Sequence, residues 1–115
     1  MNHQEWAKSL HHSARTQTPR AQFSTTEYYS LDDAYAIQHA LIAERMAEGH
    51  EVVGVKMGFT SVAKMKQMGV DDMIIGQLTS DMFISTEQPL QRSQCIHPRA
   101  EPEIAFRLSQ DVNSA

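Results

Sequence analysis

The sequence has a single cysteine, Cys95, so no disulfide bond can form within the chain. Lysine and arginine form no continuous block that could follow a phosphate backbone, which argues against nucleic-acid binding. No apolar run approaches the length of a membrane-spanning helix, and the first residues, MNHQEWAKSL, lack the apolar core of a signal peptide. These absences predict a cytoplasmic protein that binds neither nucleic acid nor membrane.

The rest of the composition is typical of a small globular domain. The chain has 115 residues, 41% of them hydrophobic, and a formal net charge of −4. This length allows one domain with a modest core. Within this single domain, residues 1–29 are predicted to form a helix and a connector. Residues 30–115 are predicted to form a second helix followed by a β-rich half.

The first predicted helix lies near the N-terminus. Trp6, Leu10 and Ala14 recur at a spacing that suits one helical face. Pro19 then interrupts the pattern, and the polar segment up to Tyr29 is predicted to be a connector.

The second predicted helix covers residues 31–48 and has clear signals at both ends. Ser30 is a good N-cap, Asp33 completes an acidic variant of the capping box, and Gly49 is placed to end the helix. Most side chains on one stripe are apolar, which predicts an amphipathic helix. The stripe contains Leu31, Ala34, Tyr35, Gln38, Leu41, Ile42 and Arg45.

The second half of the chain changes period and predicts short strands. The β-forming residues of VVGVKMG indicate a strand over residues 51–58. Ser61 and Gly69 would begin and end a short helix. Further strands are predicted near residues 81–85 and over 97–109. The predicted fold class is therefore α+β, with N-terminal helices followed by mixed β-strands.

Two glutamates, Glu101 and Glu103, stand one residue apart in the stretch HPRAEPEIAF. In a strand, residues i and i+2 share a face, so the two carboxylates would project together. Such a pair raises its own pKa values unless a cation compensates the charge. Mg²⁺ and Mn²⁺ prefer oxygen ligands of this kind. On spacing alone, two exposed glutamates facing water are the favoured interpretation, because acidic pairs are common on surfaces.

Lys56 and Asp81 are further candidates, each with a plainer interpretation. Lys56 lies between Gly54 and Gly58, where a ligand could approach closely and a lowered pKa could suit an acid or base. It could equally occupy the solvent face of a strand, and the residues leave this open. Asp81 could orient a water or accept a proton, although its place beside Thr79 and Ser80 favours a turn.

Three stretches follow one another in a specific order: VVGVKMGFTS, then KMKQMGVDDMIIGQLTSDM, then HPRAEPEIAF. In this order they resemble the N-terminal half of the hydratase/decarboxylase branch of the fumarylacetoacetate hydrolase superfamily. The residue order in the motifs GVKMGFTS and GQLTSDM most resembles the decarboxylases that act on 2-oxo-3-hexenedioate in the meta-cleavage degradation of aromatic compounds. The related 2-hydroxypenta-2,4-dienoate hydratases are the alternative. The resemblance implies the N-terminal part of the β-roll of that superfamily.

The resemblance also implies a function and a site. The activity is that of a metal-dependent carbon–carbon lyase acting on a small 2-oxo dicarboxylic acid. The metal pair of the family maps onto Glu101 and Glu103, which would bind Mg²⁺ or Mn²⁺ next to the 2-oxo group of the substrate. Lys56 would be a charge stabiliser or proton donor, and Asp81 an acid/base or orienting group.

The sequence departs from this family in its length. Family members are much longer, and their third metal ligand is a glutamate downstream of the pair, whereas no glutamate follows Glu103. We therefore expect a truncated chain of impaired activity, or a short protein that completes its sheet by forming a homo-oligomer. A non-catalytic subunit is the alternative: it would bind a full-length relative through the helix at 31–48 or join the hydratase of the pathway. An inert, poorly folded fragment is a third possibility.

Overall fold

The computed structural model describes residues 2–23 and 28–112; residues 24–27 of the predicted connector lie outside this part. The helices and strands are α1 (His3–Thr16), α2 (Leu31–Ala47), β1 (Val52–Gly58), α3 (Val62–Met68) and β2 (Ile74–Thr79). Short 3-10 helices follow at Ser80–Met82 and Arg92–Gln94. Helices combined with a small antiparallel sheet confirm the predicted α+β class. No helix in the described part has the length and hydropathy needed to cross a bilayer.

Helix α2 begins and ends where the sequence predicts. The Ser30 hydroxyl oxygen accepts a hydrogen bond from the Asp33 backbone N–H (3.1 Å), and Asp33 Oδ2 accepts one from the Ser30 backbone N–H (2.9 Å). This reciprocal capping box satisfies donors that a helix start leaves unpaired. Hydrogen bonds from the Ser30 backbone and hydroxyl lower the pKa of Asp33 to about 2. Gly49 follows the helix end with φ +94°, a conformation that glycine adopts without strain.

The core lies between α1 and α2. It contains Ala7, Ile37 and Ala40, each at most 7% exposed. Packed against it are the partly buried side chains of Trp6, Leu10 and Leu41. The predicted apolar face of α1 is therefore right for its first two positions and wrong for Ala14, which is exposed.

Histidine–carboxylate contacts join α1 and α2 at two points. His3 Nε2 lies 2.8 Å from Asp33 Oδ1, and His11 Nε2 lies 2.9 Å from Glu48 Oε1. The hydrogen bond from His11 is the main cause that lowers the pKa of Glu48. These contacts place the start of α1 at the start of α2 and fix the register of the two helices.

The other side of α2 faces β2. Tyr35 Oη accepts a hydrogen bond from the backbone N–H of Ile75 (3.2 Å), and Gln38 Nε2 donates one to the Ile75 carbonyl (3.1 Å). Both side chains belong to the predicted stripe, whereas Ile37 and Ala40 of the core lie outside it. The helix thus packs on two sides, and the stripe contributes to both: Tyr35 and Gln38 contact β2, whereas Leu41 packs against the core with α1.

Strands β1 and β2 form a two-stranded antiparallel sheet. The register pairs Lys56 with Gly76, and a bulge lies between Val52 and Gly54. The strand predicted over residues 51–58 is confirmed as β1. The short helix is confirmed as α3, which is capped by the Ser61 side chain and ends at Gly69.

Two predicted strands are wrong. Residues 81–85 overlap the short 3-10 helix Ser80–Met82, and residues 97–109 form no helix or strand. A strand needs a neighbour for its N–H and C=O groups. Within residues 2–23 and 28–112, no backbone hydrogen bond joins 97–109 to another segment. The apolar side chains of this segment are exposed, including Ile104 and Phe106.

Candidate functional site

The hairpin brings Lys56 to the two glutamates of the predicted metal pair. Lys56 Nζ lies 2.6 Å from Glu103 Oε1 and 3.9 Å from Glu101 Oε2. We call these three residues the Lys56 cluster. Both carboxylates approach the same ammonium, but not from a shared strand face as predicted, because residues 97–109 are not a strand. The structure therefore brings together three of the four residues that the sequence singled out.

The Lys56 cluster lies at the surface. The side chains are 46% exposed at Lys56, 68% at Glu101 and 56% at Glu103. The hydrogen bond to Glu103 is the main cause that raises the pKa of Lys56, and it outweighs the opposing effect of partial burial. Lys56 is therefore protonated at neutral pH. A lowered pKa, one of the two interpretations of this lysine, is contradicted.

The cluster offers part of a coordination shell for a hard divalent cation. Glu101 and Glu103 present carboxylate oxygens, the ligand type that Mg²⁺ prefers. In the described part of the chain, no group of three His, Cys, Asp or Glu side chains could hold a metal ion. Water or substrate oxygens would have to fill the remaining positions, as Mg²⁺ sites commonly allow. The two carboxylates thus fit a magnesium site in which the protein supplies only two of the ligands.

Of the two glycines that flank Lys56, Gly58 does not open a path for a ligand. A Cβ atom added at Gly58 would lie 2.7 Å from Ile74 Cγ1, and one at Gly54 would lie 3.9 Å from Leu78 Cδ1. The Ile74 side chain therefore already occupies the space beside Gly58, whereas the contact at Gly54 is an ordinary van der Waals distance. Gly58 is therefore needed for the close approach of β1 and β2 rather than for ligand access.

Asp81 lies apart from the Lys56 cluster. It follows β2, whose last residue Thr79 pairs with Val52, whereas Lys56 pairs with Gly76. The four steps along the chain from Val52 to Lys56 correspond to about 13 Å along a strand. The structure therefore places Asp81 near one end of the hairpin and the cluster towards the other.

Asp81 has two partners of its own. Its Oδ1 accepts a hydrogen bond from the Thr79 hydroxyl at 2.5 Å, and its Oδ2 is paired with the Arg45 guanidinium. Partial burial acts to raise the pKa of Asp81, but the Thr79 hydroxyl and the Arg45 charge outweigh it, so the pKa lies below its ordinary value. A carboxylate held ionised in this way suits an orienting role better than that of an acid.

Arg45 is the site residue that the sequence interpretation missed. It stands on the predicted stripe of α2 but belongs to a different segment from its partner, 36 residues away. The available signal was an arginine on a stripe that is otherwise mostly apolar. Such a position indicates a charge that needs a partner, since unpaired charges are rarely buried.

Comparison with known sequences gives relatives of two kinds, although no protein-family model matches the chain. A 4-oxalocrotonate decarboxylase of a Pseudomonas species is 42% identical over 102 residues, which cover 89% of this chain and 40% of that protein. A 2-keto-4-pentenoate hydratase of Paraburkholderia xenovorans (strain LB400) is 36% identical over 112 residues, which cover 96% of this chain and 42% of that protein. The chain thus spans about two fifths of the length of these relatives.

Comparison with solved structures agrees. The 4-oxalocrotonate decarboxylase from Pseudomonas putida G7, complexed with magnesium and adipate, matches with a TM-score of 0.64 at 30% identity, over 69% of this chain and 30% of that one. A complex of the same decarboxylase with calcium and acetate matches with a TM-score of 0.60 at 32% identity. The resemblance predicted from the three motifs is confirmed. Sequence and fold both relate the chain to the 4-oxalocrotonate decarboxylases and 2-keto-4-pentenoate hydratases, as the counterpart of the N-terminal part of these enzymes.

Proposed function

We propose that the chain is the metal-holding part of a cytoplasmic lyase that decarboxylates 2-oxo-3-hexenedioate (4-oxalocrotonate) in the degradation of aromatic compounds. The observation that carries this proposal is the meeting of Glu101, Glu103 and Lys56 at one point. It occurs in a chain that is similar to 4-oxalocrotonate decarboxylases over most of its length. Decarboxylation is the activity of those relatives, and we propose the same activity for this chain.

The residues of the cluster have distinct roles in this proposal. Glu101 and Glu103 would hold Mg²⁺ or Mn²⁺ through their carboxylate oxygens. When bound, the cation supplies a Lewis acid that polarises the 2-oxo group of the substrate. Lys56, protonated at neutral pH, would stabilise negative charge on the substrate or donate a proton. Asp81 would orient groups from its fixed position against Arg45 and Thr79.

The chemistry of the bound ligands in the solved relative supports this choice of metal and substrate class. That decarboxylase was complexed with magnesium and with adipate, a linear dicarboxylate. The proposed substrate is a linear dicarboxylate of the same chain length that also has a 2-oxo group and a carbon–carbon double bond. A carboxylate and a 2-oxo group side by side could both give oxygen ligands to the same cation, which would supply positions that two glutamates leave open.

A 2-keto-4-pentenoate hydratase is the second candidate, and the similarity to hydratases supports it. That reaction needs the same charge stabilisation at the 2-oxygen but adds water across a double bond. A non-catalytic subunit that binds a full-length relative through residues 31–48 is less well supported, because α2 already packs against both α1 and β2. Homo-oligomer formation and association with the hydratase of the pathway remain predictions.

Calorimetric titration with Mn²⁺ tests the metal site. We expect saturable binding by the unmodified chain, and binding weaker by at least about tenfold in Glu101→Gln and in Glu103→Gln, since lesser changes around metal ligands already cost that much. Glu87→Gln removes an exposed glutamate that is not part of the Lys56 cluster, so this variant should bind Mn²⁺ as the unmodified chain does. Absence of saturable binding, or equal binding by all four proteins, would contradict the proposal.

Turnover by the purified chain is a separate measurement. With only two carboxylates at the cluster, we expect little or no CO₂ release from 2-oxo-3-hexenedioate in the presence of Mg²⁺. Release above background that Glu103→Gln abolishes would show that our expectation of impaired activity is wrong and that decarboxylation is right. Hydration of 2-hydroxypenta-2,4-dienoate without CO₂ release would instead favour the hydratase.

A further inference from the structure

The ammonium of Lys56 lies where a cation shared by Glu101 and Glu103 would lie. Its Nζ atom contacts Glu103 at 2.6 Å and approaches Glu101 at 3.9 Å. We propose that Lys56 is a built-in counter-ion of the glutamate pair, and that it gives up these carboxylates when a divalent cation binds. This inference rests on the proposed function only in taking Glu101 and Glu103 as metal ligands.

The backbone explains why Lys56 is the fixed partner. Lys56 is held in β1 by its pairing with Gly76, whereas no backbone hydrogen bond in the described part of the chain holds residues 97–109. Among the hydrogen bonds and ion pairs of the described residues, those of Lys56 tie this segment to the hairpin. The ammonium therefore gathers the two carboxylates before any metal is present.

Lys56 and a divalent cation cannot share the pair without cost. A protonated lysine has donors only, so it cannot act as a metal ligand. The Lys56 ammonium and the metal ion need the same carboxylate oxygens, and their positive charges repel when both lie beside the pair. Lys56 should therefore lower the affinity of the pair for metal. An exposed ion pair of this kind changes an equilibrium by about 1.5- to 5-fold, and the repulsion adds to that.

Displacement would also give Lys56 a second use. Released from Glu103, its ammonium would remain beside the pair, where the anionic end of a substrate would arrive. The same side chain would then keep the glutamates together in the absence of metal and face the substrate in its presence. This order of events follows from one ammonium having two sets of anionic partners.

The test is calorimetric titration of the whole chain with Mn²⁺ for three lysine variants. We expect Lys56→Met to bind Mn²⁺ about three- to tenfold more tightly than the unmodified chain. Lys56→Arg keeps the charge and should stay within about twofold of it. Lys64→Met removes an equal charge from α3, where Lys64 contacts Gln67, and should also stay within about twofold.

Each outcome separates this inference from the proposed function. Equal or weaker binding by Lys56→Met overturns the inference, and the proposed metal pair still stands if Glu101→Gln weakens binding. Tighter binding by both Lys56→Met and Lys64→Met also overturns it, because net charge alone would then explain the gain. Absence of Mn²⁺ binding in every protein overturns both. Binding by Lys56→Met alone also overturns the inference, because Lys56 of the unmodified chain would then not release the carboxylates to a cation.

Discussion

Replacing Ile37 by alanine is expected to lower the free energy of unfolding by about 2–4 kcal/mol. Ile37 is 5% exposed and belongs to the same buried cluster as Ala7 and Ala40, whose small side chains cannot fill the space that the isoleucine leaves. The loss combines the transfer of apolar groups to water with the cost of a cavity. Domains have a total stability of only about 5–15 kcal/mol, so the variant would lose a large share. Urea unfolding followed by far-UV circular dichroism measures it.

Met46→Ala is the matched control on the same helix. Met46 is 53% exposed, so its truncation should change the free energy of unfolding by no more than about 0.5 kcal/mol. Alanine is a better helix former than isoleucine by a few tenths of a kcal/mol, which slightly reduces the expected loss at Ile37. Similar small effects at both positions would show that the core does not lie between α1 and α2.

Asp81→Asn is expected to lower the free energy of unfolding by about 1–3 kcal/mol at pH 7. The change removes the negative charge that compensates Arg45, whose side chain is 17% exposed. Arg45 Nε is already buried without a hydrogen-bond partner in the described part of the chain, so the guanidinium has little other compensation. Asparagine keeps the shape of the side chain and can still accept the hydrogen bond from Thr79. The expected loss therefore reports mainly the charge.

The effect of Asp81→Asn should depend on pH in one direction. The pKa of Asp81 in the folded chain lies below the ordinary value of 3.8, so the ionised carboxylate stabilises the fold above that value. This stabilisation is lost as the pH falls below about 4 and passes the folded-state pKa. The difference between the unmodified chain and Asp81→Asn should therefore be full at pH 7 and smaller at pH 3. Asp111→Asn, an exposed control, should not change the free energy of unfolding at either pH. If Asp81→Asn lowered it equally at pH 7 and pH 3, the charge of Asp81 would have no role.

Local signals in the sequence predicted local structure well. The capping box of α2 joins Ser30 and Asp33, and the left-handed residue that ends α3 is Gly69, so each signal involves residues within one helical turn. Such features depend on short-range hydrogen bonds and backbone conformation, which neighbouring residues determine. The same is true of β1, whose β-branched residues and flanking glycines were sufficient to locate it.

Features that depend on distant residues were predicted less well. The stripe on α2 was only partly correct: Tyr35 and Gln38 contact β2, but Leu31 is 65% exposed and Leu41 packs against the core with α1. The strand predicted over 97–109 failed because pairing is a property of two segments rather than of one. For the site, the sequence identified Lys56 and Glu103 singly and related them only through a family resemblance. Their direct contact across 47 residues of chain needed the fold.

Tyr35 and Gln38 replace a neighbouring strand at the outer edge of β2. Tyr35 accepts the hydrogen bond of the Ile75 N–H and Gln38 donates one to the Ile75 C=O, so neither backbone group is available to pair with another chain. Ile75 pairs with Met57, and because the Ile75 groups point away from β1 this is a non-hydrogen-bonded pair, in which Met57 directs its own N–H and C=O to the opposite edge of the sheet. A strand of another chain could therefore pair with the edge of β1, whereas α2 blocks such pairing at the edge of β2.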